Sequence, residues 1–256
     1  MAEAADGAEP IDAAAGVDSQ CAGSPITRAR KNLAALEALA AAEERGSATA
    51  EEIAAMEAYS GWGGAQKAFS ENAEGEWGEI RDRLKELLSD DEFASQRHTV
   101  LTAFYTPAPV IGAIYDALRE AGIGHGDTPA AILEPGCGTG NFMRLAPADL
   151  ALDFHGVELD PISARIAQAL CPEAHITAAG LEECRVSPAS FDAAIGNVPY
   201  SGDIKIDGMP IHDYFIKKSV EAVRPGGVVA VLTSRYTLDK NYAIVVKTNG
   251  EVCQNW

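Results

Sequence analysis

The sequence is short of basic residues: 20 Lys and Arg stand against 38 Asp and Glu, a net charge of −18. A surface of that sign repels phosphate and excludes a general affinity for nucleic acid. Long apolar runs are also missing. The most apolar stretch, Gly226 to Leu232, falls far below the roughly 20 residues needed to cross a bilayer. No basic segment leads into an apolar one at the amino terminus, so we expect no export signal and a cytoplasmic protein. Cysteines are few and odd in number, at Cys21, Cys137, Cys171, Cys184 and Cys253, with no C-x-x-C pair. That pattern predicts reduced thiols rather than disulfides or zinc. The histidines, His98, His125, His155, His175 and His212, show neither H-E-x-x-H nor paired spacing, so no metal site is expected.

What is present is ordinary globular material. With 256 residues, 47% of them hydrophobic, the chain has room for one full domain and an appendage at roughly 150 residues per domain. Charge is uneven along it. From Asp203 onward seven basic residues face six acidic ones, a balance of +1, which leaves −19 for the first 202 residues. A polyanion should therefore approach the C-terminal part.

Residues 1–26 are acidic and rich in Ala, Gly, Ser and Pro, a composition predicting a disordered tail. Residues 27–103 read as a helical cap. Leu33, Leu36 and Leu39 recur at helical spacing before Gly46; Thr49 with Glu52 makes a capping box; Ile80, Leu84, Leu87 and Leu88 form another stripe; and Ser89 with Glu92 opens a further helix. Tyr59 and Trp62 are expected in the core of this cap. From 104 to 240 the texture changes. Thr106-Pro107 starts a helix with Val110, Ile111, Ile114 and Leu118 on its buried face. Candidate strands follow at 131–134, 154–159, 175–178, 191–196 and 227–233, separated by helical patterns near 140–146, 161–170 and 212–223. That alternation predicts an α/β fold, a doubly wound Rossmann-like parallel sheet.

Two stretches carry chemistry. In Glu134-Pro-Gly136-Cys137-Gly138-Thr-Gly140-Asn141-Phe142, alternate glycines at a strand-to-helix turn let the backbone wrap closely round a ligand. The spacing is G-x-G-x-G, not the dinucleotide G-x-G-x-x-G. Glu158, 22 positions beyond Gly136, ends the next strand, where an acid can take both hydroxyls of a ribose. Asn197-Val198-Pro199-Tyr200 ends the fourth strand. It offers a side-chain amide oxygen and a main-chain carbonyl as two acceptors beside a ring that can stack. Such a pair suits a planar amine whose N–H groups must be gripped while it attacks a methyl group.

These segments resemble the amino-methylating, S-adenosylmethionine-dependent DNA methyltransferases that modify the exocyclic nitrogen of adenine. Phe104-Tyr105-Thr106-Pro107 resembles the family's cofactor segment, Glu134 to Phe142 its glycine loop, Glu158 with Leu159 its ribose segment, and Asn197 to Tyr200 its catalytic motif. Tyr59-Ser-Gly-Trp-Gly-Gly, His212-Asp-Tyr-Phe-Ile, Arg224-Pro-Gly-Gly and Thr233 to Lys240 are similar to large phage and mobile-element proteins that join such a methylase to a helicase. The resemblance implies that Asn197 and the Val198 carbonyl hold the target amine and that Tyr200 stacks on a flipped base. Pro199 is the motif's retained proline, and Leu181 packs on the cofactor adenine. Val198 stands where the family usually has a first proline. Gly180 stands where many members carry an acid for the adenine amine, which leaves Glu182 and Glu183 as alternatives. The same tetrapeptide logic serves enzymes that methylate glutamine in proteins or amines in RNA.

Residues 241–256 match nothing in those relatives, and a frameshifted or recombined end is the expectation, with a hairpin around Asn249-Gly250 pairing Ala243–Val246 with Glu251–Cys253. The resemblance places target recognition, or a helicase region, after the catalytic core. The isolated chain is therefore expected to bind cofactor moderately and to methylate DNA weakly or not at all, and an inactive cofactor-binding fragment is the competing reading.

Overall fold

The computed structural model describes residues 14, 17, 20, 22–99, 106–201, 203–234, 237, 246–248 and 251–253. Its centre is a five-stranded parallel sheet in the order β3-β2-β1-β4-β7, built from β1 (Ala130–Pro135), β2 (Leu152–Glu158), β3 (His175–Ala178), β4 (Phe191–Asn197) and β7 (Val223–Leu232). Alternate residues face opposite sides. Ile132, Phe154, Ala193 and Ile195 pack on α5 (Ala108–Glu120), while Leu133, Val157 and Ala194 pack on α8 (Ile211–Ala222). Both faces are thus covered, as a parallel sheet requires, and the fold is a doubly wound α/β one. Strand order reverses between β1 and β4, so the loops leaving their carboxyl ends open a crevice there.

Four helices precede α5: α1 (Pro25–Arg45), α2 (Ala50–Glu57), α3 (Glu76–Leu87) and α4 (Asp90–Thr99). Their starts follow from local capping. Ser24 caps α1, and the Thr49–Glu52 box opens α2 with both reciprocal bonds made. Ser89 and Glu92 form the equivalent pair before α4. Gly46, at φ +79°, ends α1 in the left-handed region. Tyr59 and Trp62 are fully buried between these helices. The same cluster includes Ile162 and Ile166 of α7 (Pro161–Leu170), so the helical segment packs on the sheet's own helix.

Hydrogen bonds tie the two parts together. Gln96 lies fully buried; its Oε1 accepts from Tyr59 Oη at 2.6 Å and Trp62 Nε1 at 2.9 Å, and its Nε2 donates to Asp160 Oδ1 at 2.5 Å. Asp160 in turn caps α7, accepting from the Ser163 amide at 2.9 Å. Arg165 bridges to Glu43 and Glu92, and Arg144 meets Glu57 at 2.7 Å, largely out of solvent.

Some expectations need correction. Val110 is exposed, and Tyr115 takes its place on the buried face of α5, because helical geometry puts Ile111, Tyr115 and Leu118 in one row. The helix starts at Ala108, one residue late, with Pro107 as its cap. Val17 and Gln20, within the stretch read as a disordered tail, are buried: Gln20 donates to the Glu57 carbonyl at 2.8 Å and accepts from Asn141 Nδ2 at 2.8 Å. Most of 1–21 lies outside the described residues. The C-terminal hairpin pairs β8 (Val246–Thr248) with β9 (Glu251–Cys253) in a separate two-stranded sheet. Val246 of the expected first strand lies in β8, and 243–245 lie outside the described residues.

Candidate active site

The crevice at the strand-order reversal is a cleft of about 610 Å³. Three segments far apart in sequence line it: the glycine loop, the end of β2, and Asn197 to Tyr200. The loop is shaped by Gly136, Gly138 and Gly140, all with positive φ. A Cβ on Gly138 would meet no atom within 4 Å, so this glycine borders open space. The Gly136 and Cys137 amides both donate to the Val157 carbonyl, at 2.7 and 3.0 Å, which ties the turn to β2.

Glu158 is gripped at both oxygens. Oε2 accepts from the Gly138 amide and Oε1 from the Asp160 amide, each at 2.8 Å. Each oxygen keeps a further lone pair for a ligand hydroxyl. Burial pushes this carboxyl up to about 7 despite those donors. Glu134 is more deeply buried, and its Oε2 has no hydrogen-bond partner among the described residues. Burial, and then the charge of Glu158, push its carboxyl well up. The buried Thr139 hydroxyl is likewise without a partner there. Gly196, at φ +148°, lets Glu134 lie against β4: a Cβ there would sit 3.4 Å from Glu134 Cγ. Glu134 and Asn197 line the same cleft.

Of the residues singled out in the sequence, Thr106, Glu134, Gly136, Cys137, Gly138, Asn141, Phe142, Glu158, Leu159, Leu181, Asn197, Val198, Pro199 and Tyr200 all line the cleft. Gly140 is set behind it, its Cβ direction blocked by Cys171 Sγ at 3.0 Å. Tyr105 and most of 235–240 lie outside the described residues. Not every lining side chain is available to a ligand. The Asn141 amide is bonded to Gln20, Phe142 sits in the core beneath, and the Cys137 thiol is buried and pushed well up by that burial. Leu159, by contrast, is 72% exposed.

One open alternative resolves in the cleft, and Lys205, Ser95 and Phe215 escaped the sequence reading. Glu182 lines the cleft, its carboxylate 2.7–2.8 Å from where a Cβ on Gly180 would stand, whereas Glu183 faces a neighbouring hollow. Lys205, from the short β5 (Lys205–Ile206) that pairs with β6 (Met209–Pro210), supplies a cation. Ser95 of α4 brings the helical segment to the rim, and Phe215 of α8 adds an aromatic wall. Only the His212-Asp-Tyr-Phe segment could have signalled Phe215 in advance.

No family model matches the chain. Among known proteins it is similar to the type II methyltransferase M.XamI of Xanthomonas campestris pv. amaranthicola, 27% identical over 174 residues, which cover 57% of this chain and 32% of that protein. The chain thus spans about a third of the length of this curated relative. Solved structures that resemble it include a SAM-dependent methyltransferase from Geobacter sulfurreducens in complex with S-adenosyl-L-homocysteine, 19% identical with a TM-score of 0.36, covering 49% of this chain and 47% of that one. Another is phosphoethanolamine N-methyltransferase 2 of Haemonchus contortus in complex with S-adenosyl-L-methionine, 20% identical with a TM-score of 0.35, covering 50% and 31%. Matches this distant add nothing to the strand order, which stands by itself. No described helix is long and apolar enough to cross a membrane.

Proposed function

We propose that the chain carries the catalytic core of an S-adenosylmethionine-dependent methyltransferase that acts on the exocyclic amine of adenine in DNA. The observation that carries this reading is the meeting of the glycine loop, Glu158 and Asn197 to Tyr200 in one cleft. The residues present fit the cofactor. Glu158 keeps acceptors for both ribose hydroxyls, the Glu134 Oε2 without a partner among the described residues suits a cationic amino group, and open space over Gly138 leaves a path for the ligand chain. Glu182, filling the place of the missing acid at Gly180, is the acceptor for the adenine amine; Leu181, 2% exposed, packs below it. Similarity to a type II methyltransferase supports both cofactor and DNA.

When bound, the cofactor supplies an electrophilic methyl group. The chain's own part is to present a nucleophile. The Asn197 amide oxygen and the Val198 carbonyl accept the two N–H groups of the target amine, which favours a pyramidal nitrogen with its lone pair free to attack. Tyr200 stacks on the flipped base, returning roughly 1–3 kcal/mol against the few kcal/mol that flipping costs. Lys205 at the mouth suits a phosphate. Recognition of a target sequence is the work of a region beyond the catalytic core, consistent with the net charge of −18.

The test is mass spectrometry of nucleosides from DNA incubated with the chain joined to its recognition region. N6-methyladenine should appear, and Asn197→Ala should remove it while S-adenosylmethionine still binds. Methylation that persists in Asn197→Ala would refute the mechanism; methylated glutamine or guanine without methyladenine would move the substrate to protein or RNA.

A further inference from the structure

His155 and His175 are twenty residues apart in the chain, yet β2 and β3 place them directly opposite one another in the parallel ladder. Paired residues present their side chains to one face of a sheet, as do residues two apart on a strand. Asp153 therefore joins them. His155 Nε2 lies 3.2 Å from Asp153 Oδ2, and His175 Nε2 lies 3.5 Å from Asp153 Oδ1. One ligating atom from each of the three residues falls within 4.8 Å of the other two. Ligands held roughly 2.0–2.2 Å from a tetrahedral zinc ion stand about 3.3 Å apart, and each histidine keeps about that spacing from one oxygen of the carboxylate, His155 from Oδ2 and His175 from Oδ1. The Phe191 ring packs edge-on to His155, with centroids 5.4 Å apart, and so fixes the orientation of that imidazole.

We propose that Asp153, His155 and His175 form a three-ligand site for a divalent transition-metal ion of the zinc type. Two imidazoles and one carboxylate suit such an ion, and both histidines line a hollow of about 480 Å³. Histidine spacing along the chain gives no sign of this cluster, because the pairing lies across strands. The site is distinct from the methyl-transfer cleft and independent of that reading. Its consequence is structural. β3 is an edge strand held by a single neighbour, and an ion bridging β2 and β3 pins that edge.

The test uses the full chain, stripped with a chelator and titrated with zinc chloride by calorimetry and with cobalt chloride by visible absorption. One zinc per chain is expected, bound at least about tenfold more weakly in both His155→Ala and His175→Ala, and unchanged in Cys184→Ser. The cobalt spectrum should show nitrogen and oxygen ligation without a thiolate charge-transfer band. Absence of zinc binding to the parent chain, undiminished binding in both histidine variants, or an intense thiolate band would each overturn the site. Should His155→Ala fail to fold, His175→Ala decides, since that side chain is 67% exposed.

Discussion

Glu158 is where pH should act most directly on this protein. Burial raises its carboxyl from 4.5 to about 7, so the folded chain holds a proton that the unfolded chain has released between those values. Stability from this group is fully present below about 4.5 and is lost as pH rises through about 7. Worked through the linkage relation, the loss between pH 5 and pH 8 is about 2.5 kcal/mol, an upper value because the carboxyl opens onto the cleft. Glu134 is shifted in the same direction and adds to the trend. Carboxyls shifted the other way, Glu52, Glu92 and Asp149, titrate below this window and leave it undisturbed. Urea midpoints should therefore fall from pH 5 to pH 8. Cofactor affinity should run in the opposite sense, because only the ionised carboxylate accepts two ribose hydroxyls without surrendering an oxygen to its own proton. With a value near 7, binding of S-adenosylmethionine is expected to be about tenfold weaker at pH 6 than at pH 8. Glu158→Gln should make both profiles shallower, leaving in the stability profile the slope due to Glu134, and comparison with it removes any titration of the ligand itself. Flat profiles in the parent chain, or the same slopes in Glu158→Gln, would refute the reasoning.

Gln96→Leu removes the acceptor shared by the Tyr59 hydroxyl and the Trp62 indole N–H in the core and should cost roughly 2 kcal/mol by urea unfolding; a loss under about 0.5 kcal/mol would mean that neither donor depends on it. Glu182→Ala should weaken S-adenosylmethionine binding about tenfold, as expected for loss of a charged hydrogen bond, yet barely change binding of an analogue lacking the adenine amine; equal losses for both ligands would remove Glu182 from that role. Gly138→Ala puts a methyl group into the cleft at φ +56°, and should lower stability by only about 1 kcal/mol while reducing cofactor affinity more steeply. Calorimetry that finds unchanged affinity would show that the ligand does not pass over Gly138.

The readings that came directly from the sequence were those governed by neighbours along the chain. Capping boxes at Thr49 and Ser89, glycine turns at 136–140 and alternating apolar strands depend on residues within a few positions, where backbone geometry leaves little choice. The strands at 175–178 and 191–197 match their expected places for that reason. That Asn197 to Tyr200 and Glu158 would line one cleft was legible because each segment stands at a strand end, and strand ends of an open α/β sheet converge.

Other features arose only when distant segments met. Packing decides that the Glu182 carboxylate, and not that of Glu183, folds back into the empty place at Gly180. Gln20 engages Asn141 across 121 positions, and Gln96 reaches Asp160 across 64; neither glutamine has a local signature, since an amide reveals its partner only after packing removes water. The Asp153, His155 and His175 cluster is set by a ladder register, and a shift of one residue would have sent the histidines to opposite faces. Composition, periodicity and turn chemistry determined the elements of this protein and the loops that line its cleft. The tertiary structure decided which polar groups were buried and which found partners, because burial and pairing depend on the packing of segments that are far apart in the chain.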